Sequence, residues 1–252
     1  MIDQLWLVPL GFAAGVLGSM IGLGGGIVVV PVLTFLGFPP AVAASNSLYA
    51  AMSNAVSSSI VYSRQKRIEY KLGIKLGLVS VPGSIIGALV SADVTPTLFK
   101  MLFGVVLVAS VLYMLLRRRL EGRRLQISSL VVVIAVAASF FAGIISAFFG
   151  IGGGIIFVPL MVAGMGMSIK RAAPTSQLIL LFASFAGVIT HSILGHPDFL
   201  QAGLLAAGAF FGGLVGARLS VNVREKYLLL LAAIAMLVVA AKLFIDSATP
   251  VV

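Results

Sequence analysis

Two glycine clusters, Gly22-Leu23-Gly24-Gly25-Gly26 and Gly150-Ile151-Gly152-Gly153-Gly154, interrupt long apolar runs. Glycines in the middle of a helix free amide N–H groups from intrahelical bonding, and the helix that resumes beyond them starts with its positive dipole end. Two such ends facing each other can hold an anion without a fixed positive side chain. Glycine also lets the ligand approach the backbone and tolerates positive φ. Gly24, Gly25, Gly26, Gly152, Gly153 and Gly154 are therefore candidate backbone donors, with close helix packing as the competing role. The clusters are not nucleotide loops, since no strand precedes them and no Lys-Ser/Thr follows. Downstream of each cluster lies a polar triplet, Ser45-Asn46-Ser47 and Thr175-Ser176-Gln177. Hydroxyls and carboxamides donate to oxyanions without the cost of burying a charge, and the same residue types cap helix N-termini. Asn54, Ser57 and Ser58 add a polar flank where the second half has Ala183, Ala186 and Gly187.

Other chemistry is thinly provided. With no Cys, two His and seven Asp+Glu, thiolate metal sites, disulfides and dithiol relays are absent and material for a metal centre is scarce. No carboxylate lies inside an apolar run, so a carboxylate proton relay has no candidate. His191 could carry a proton; its place near His196 and Asp198 also suits an interfacial polar residue. Lys100 suits snorkelling to the headgroups, and Arg218 suits interface anchoring. No Ser/His/Asp or Glu/His constellation supports an enzyme, and no cofactor is expected.

The elements that must position these groups are membrane helices. The 252 residues are 60% hydrophobic and 10% charged, with a mean hydropathy of +1.18, against about 25% charged residues in a soluble domain. The +10 net charge reads as cytoplasmic loops of a polytopic protein, not as a nucleic-acid surface. The N-terminus lacks a basic stretch, so a cleaved signal peptide is not expected. Apolar blocks run approximately over 5–36, 41–63, 72–92, 97–116, 127–164, 172–195, 199–219 and 226–245. The first and fifth are too long for one span and are the two that carry the glycine clusters.

The chain is also an internal duplication. Gly15 through Gly26 matches Gly143 through Gly154 at an offset of 128, as Pro31 matches Pro159, and Gly83, Gly87 and Ala88 match Gly212, Gly216 and Ala217 at 129. The halves are about 1–120 and 121–252. If each glycine-broken block enters and leaves by one face, each half has three crossings and the halves are inverted. Fifteen of the seventeen basic residues then share one face, leaving Lys100 and Lys242 on the other. With all eight blocks crossing, only eleven share a face. The positive-inside rule favours the inverted arrangement, with both termini outside the cytoplasm.

The run Gly15 to Pro31 with its Gly-Leu-Gly-Gly-Gly core, Ala-Ala-Ser-Asn-Ser at 43–47, Gly83–Ala88, and their echoes at Gly143 to Pro159, Ala172–Ser176 and Gly212–Ala217 resemble the TauE/SafE family of sulfite-exporter-like permeases. The resemblance covers nearly the whole chain, with Ala-Pro-Thr-Ser and Asn-Ser departing from the family's usual small residue before Thr-Ser. It implies movement, often outward, of small sulfur-containing anions such as sulfite or sulfoacetate-like organosulfonates. The expectation is thus an all-α, multi-pass protein of the plasma or inner membrane, built from two inverted repeats. It would transport a small oxyanion around a midplane site and bind no nucleic acid. A passive anion channel and a membrane scaffold or assembly factor are the competing readings, and the oligomeric state stays open.

Overall fold

The structure, a computed structural model, describes residues 4–91, 94–118 and 129–248; within them it is helical and contains no strand. In chain order the helices are α1 (Leu7–Ile21), α2 (Gly26–Phe35), α3 (Pro40–Arg64), α4 (Tyr70–Val90), α5 (Pro96–Arg118), α6 (Ser129–Phe149), α7 (Gly154–Pro159), α8 (Ile169–Ile193), α9 (Phe199–Leu219) and α10 (Glu225–Ala248); a π-helical turn, Leu160–Gly164, continues α7. The two overlong apolar blocks are thus α1–α2 and α6–α7, each split at its glycine cluster. Among the described residues α4, α8 and α9 are individually long and apolar enough to cross a membrane. Part of the expected basic face, Arg119, Arg123 and Arg124, lies outside the described residues.

Contacts between the halves show how the helices run. Gly11 and Gly15 abut the backbone of Leu205 and Ala209, while Gly208, Gly212 and Gly216 abut Val8, Phe12 and Val16. The numbers rise together, so α1 and α9 lie side by side in the same sense. The equivalent pair α4 and α6 does the same: Gly83 and Gly87 meet Phe140 and Ile144, and Gly143 meets Ser80. At Gly83 and Gly212 an added Cβ would run into the carbonyl oxygens of Phe140 and Phe12, so these Gly-x-x-x-Gly faces bring backbones into direct contact.

α3 runs along α9, with Ser53 Oγ donating to Ala206 O at 2.7 Å, and α8 runs along α4, where Ser84 Oγ donates to Ala183 O at 2.5 Å. α3 and α8 run opposed: Tyr49 meets Ser192 near one end, and Arg67, just beyond α3, meets Lys170 near the other. Two bundles result, α1–α2–α3–α9 and α4–α6–α7–α8, each drawing helices from both halves of the sequence. α5 packs on α10. Phe99, Phe103 and Leu107 of α5 and Met236, Ala240 and Leu243 of α10 join Leu23, Ile27, Ile151 and Ile155 of the broken segments in the largest buried cluster.

Because α1 and α3 run in the same sense, α2 must carry the chain back to the face from which α1 started. Leu33 of α2 accordingly shares a cluster with Leu7 and Ala14 of α1. The same logic holds for α6, α7 and α8.

Candidate functional site

Each break is shaped by three left-handed glycines. Gly22, Gly24 and Gly25 have φ of 81°, 78° and 83°, and Gly150, Gly152 and Gly153 have 71°, 77° and 81°. An L-residue resists that conformation by roughly 1–2 kcal/mol. Gly22 caps α1 with its N–H on Gly18 O and Ser19 O. The amides of Leu23 and Gly24 also fold back onto Gly18 O, turning the chain so that Gly25 rests against Ala14 and Gly18.

The breaks meet each other reciprocally. Gly26 is pressed on Gly150 O and Ile151, and Gly154 on Gly22 O and Leu23. Two hydroxyls fasten the pair: Ser47 Oγ donates to Gly150 O, and Ser176 Oγ donates to Gly22 O, both at 2.8 Å. Gln177 Nε2 adds a bond to Gly18 O at 2.9 Å. Behind them, the Gly24 and Gly152 positions both face the δ-methyls of Leu180, whose counterpart in the first half is Ala51.

The amides at the starts of α2 and α7 are open. Val28 and Val29 bond to Gly25 O, and Ile156 and Phe157 to Gly153 O. The N–H groups of Gly25, Gly26 and Ile27, and of Gly153, Gly154 and Ile155, have no acceptor among the described residues. All six residues are buried. Buried helix starts without partners are unusual. Unpartnered buried side-chain atoms lie on neighbouring helices: both amide atoms of Asn54 in α3, Gln177 Oε1 in α8, and Ser146 Oγ in α6 beside Gly153.

Of the twelve residues singled out from sequence, the six glycines, Ser47, Ser176 and Gln177 come together at this junction. Three do not. Asn46 donates to Gln201 Oε1 and accepts from Asp198 N, both at 3.0 Å. Thr175 accepts from Glu69 N at 3.0 Å, and Ser45 bonds within its own helix to Val42 O. Asn46 and Thr175 thereby tie down the starts of α9 and α4 in equivalent fashion. Neither polar triplet caps the helix that contains it: α3 starts at Pro40 and α8 at Ile169, more than a turn earlier, and neither has a side-chain cap.

The sequence patterns do not single out Tyr62, and Arg67 stands there only as one of the basic loop residues. Tyr62 and His191, at equivalent positions, are the only buried titratable side chains among the described residues. Arg67 donates to Lys170 O at 2.9 Å and Ser220 Oγ at 2.9 Å, and burial lowers its pKa from the usual guanidinium value. Burial also lowers that of His196. Lys100 lines a separate cavity of about 470 Å³ with Thr34, Phe38 and Pro40, and Arg218 is exposed. No group of three or more His, Cys, Asp or Glu that could hold a metal occurs among the described residues.

The sequence matches the family described as Sulfite exporter TauE/SafE over residues 7–243. Among curated proteins, it is 31% identical to the "Probable membrane transporter protein YunE" of Bacillus subtilis, covering 95% of this chain and 97% of that one. A probable membrane transporter protein of Methanocaldococcus jannaschii is 29% identical over 88% of each chain. The "Probable membrane transporter protein YfcA" of Escherichia coli K12 is 26% identical over 98% and 93%. No solved structure matches. Packed apolar helices, no buried Asp, Glu, Lys or Arg among the described residues, and a family match spanning almost every helix agree: this chain is a multi-pass membrane transporter of the TauE/SafE sulfite exporter family.

Proposed function

We propose that the protein is a secondary transporter that exports a small sulfur-containing oxyanion, sulfite or a sulfoacetate-like organosulfonate, across the plasma or inner membrane. The observation that carries this reading is the set of six buried backbone donors without acceptors where the two breaks meet. An anion of tetrahedral or pyramidal shape can use N–H donors from two helix starts, with Ser47, Ser176 and Gln177 at hand. Gly24 and Gly152 provide close backbone approach, while Asn46 and Thr175 support the helix starts around the site and Ser45 stays bonded within its own helix. The reading needs no cofactor, metal or catalytic group.

In this reading the halves are inverted repeats and the broken segments are re-entrant. Support comes from the opposed α3 and α8, the like-directed α1 and α3, and the paired hydrogen bonds at Ser47 and Ser176. The basic loops then face the cytoplasm. Alternating access is motion of the α1–α2–α3–α9 bundle against α4–α6–α7–α8, with Ser47 and Ser176 on the surface between them. The family name supports the sulfur chemistry.

The test is a thermal-stability screen of purified protein against sulfite, sulfate, thiosulfate, sulfoacetate, taurine and a carboxylate. Stabilisation by sulfite or a sulfonate is expected. It should be lost in Gly25→Ala and Gly153→Ala proteins that still elute as folded monodisperse species. Stabilisation by the carboxylate alone, or by none of these, overturns the substrate assignment. Accumulation against a gradient in proteoliposomes separates a coupled transporter from a passive channel.

A further inference from the structure

The polypeptide crosses between the two bundles at the α3–α4 loop and again at the α8–α9 loop, and these crossovers are built alike. Tyr62 Oη donates to Ser19 O at 2.6 Å, and His191 Nε2 meets Ala147 O at 3.0 Å. Each crossover turns on a left-handed residue, Lys66 at φ 55° and Gly195 at φ 71°. The next residue then bonds back, Arg67 N to Tyr62 O at 3.2 Å and His196 N to His191 O at 3.1 Å. Arg67 lies 5.1 Å over the Tyr62 ring, and the His196 ring lies 5.1 Å from that of His191. One backbone design therefore carries two chemistries. The guanidinium keeps its charge at any physiological pH; an imidazole pair does not.

We propose that His191 and His196 form a proton-binding site that fastens the α8–α9 crossover when neutral and releases it when protonated, so that acid opens that face of the protein. The role in transport rests on the reading given above; the proton site itself does not. With Nε2–H given to Ala147 O, the neutral His191 ring can only accept at Nδ1. The 2.8 Å contact between the two Nδ1 atoms then requires His196 to donate. With one added proton the pair keeps its Nδ1–Nδ1 hydrogen bond but carries an imidazolium beside the apolar cluster around Ala147, and a second proton sets donor against donor. A proton added at His196 Nε2 places an imidazolium in a partly buried site, where burial already lowers its pKa. In an open, solvated crossover neither cost applies. The fastened state has the lower pKa, so it is favoured at high pH and lost as pH falls below the ordinary imidazole value.

The polar groups that neighbouring elements bring near the pair are held by bonds of their own. α6 offers the Ala147 carbonyl, and α3 offers Tyr49, whose hydroxyl is held by Ser192 Oγ at 2.8 Å. α9 offers Asp198, whose carboxylate accepts from Leu200 N and Gln201 N at 3.1 Å. α4 offers Ala88, in the apolar cluster with Leu48, Ala147 and Val188.

The chain has no cysteine, so Ala88→Cys provides a unique thiol in that cluster. Its labelling by a small thiol reagent is measured in membranes, with each rate divided by that of the unfolded protein at the same pH to cancel thiol ionisation. The normalised rate is expected to rise roughly fivefold to tenfold from about pH 8 to about pH 5.5, the range that one pKa unit permits. It should stay flat in His196→Gln and in His196→Arg, which installs the other crossover's charge. A flat profile in the Ala88→Cys parent, or an unchanged rise in both folded variants, overturns the proposal. Sulfite or sulfonate flux is measured on the same preparations. A pH-dependent thiol without flux refutes the transport reading and leaves the proton site standing, whereas flux with a flat thiol does the reverse.

Discussion

Ser47→Ala and Ser176→Ala are expected to destabilise the protein by similar amounts. Each hydroxyl is fully buried and donates at 2.8 Å to the carbonyl of a left-handed glycine in the opposite break, Gly150 or Gly22. Those carbonyls lie outside regular helix, so loss of the hydroxyl strands a buried acceptor at about 1–3 kcal/mol, well above the net value of an ordinary hydrogen bond. For a chain of this size that corresponds to a fall of roughly 2–12 °C in midpoint. Ser45→Ala is the control. Its hydroxyl also donates to a carbonyl, Val42 O, but within its own helix, where the backbone ladder satisfies that oxygen, so the expected loss is below about 1 kcal/mol. The assay is the fraction of detergent-solubilised protein still monodisperse after heating. The double variant should lose less than the sum, because both hydroxyls fasten the same pair of breaks. A large loss in only one of the two variants, or a loss at Ser45 equal to theirs, refutes the reciprocal fastening of the breaks.

Gly83→Ala and Gly212→Ala should each cost about 1–3 kcal/mol by overpacking, since the new methyl meets a carbonyl of the neighbouring helix; parallel thermal melts check this. Leu180→Ala makes the second half resemble the first, which has Ala51 there, and removes the methyls covering Gly24 and Gly152. It should lower stability by about 2–5 kcal/mol and raise anion leak through proteoliposomes; unchanged leak in folded protein would dissociate Leu180 from the pathway. Glu69→Gln removes the ion pair with Arg171, whose side chains are 45% and 65% exposed. Its thermal midpoint should move by less than the equivalent of about 1 kcal/mol.

The broken helices were legible because clustered glycines weaken a helix at the point where an apolar run is already too long for one span, and the structure splits both blocks at those clusters. The packing faces at Gly83, Gly87, Gly212 and Gly216 were legible through their spacing. The pairing of α1 with α9 and of α4 with α6 was not, because identical small-residue faces do not say which copy each will meet. The polar triplets were recognised as polar but not sorted. Ser47 and Ser176 reach the breaks, while Asn46 and Thr175 one position earlier turn toward Asp198 and Glu69. One residue is about 100° of helix rotation, and the exact rotation of α3 and α8 is fixed by tertiary packing. The correspondence of Arg67 and His196 was hidden for a different reason: they align only once the halves are superposed through Tyr62 and His191.

The remaining asymmetry has a pattern. Ser47, Ala51, Asn54, Ser58 and Tyr62 recur at helical spacing and are all buried, as are Ser176, Leu180, Ala183, Gly187 and His191 on α8. Equivalent backbone bonds hold both lines, but only the first pair is chemically the same. From there the α3 line is polar toward Tyr62, and the α8 line is apolar until His191. Because α3 and α8 run opposed, the two polar ends lie toward different faces of the protein. A duplicated scaffold of this kind offers two related arrangements of one backbone. With identical linings those arrangements would be close in energy, and neither face would be preferred. Asn54 against Ala183, Leu180 against Ala51, and a fixed charge at Arg67 against a titratable ring at His196 remove that equivalence. In the proposed transport cycle the difference between the two faces resides in the side chains that break the repeat, and substitutions restoring symmetry along these two lines should reduce the directional preference of flux through proteoliposomes.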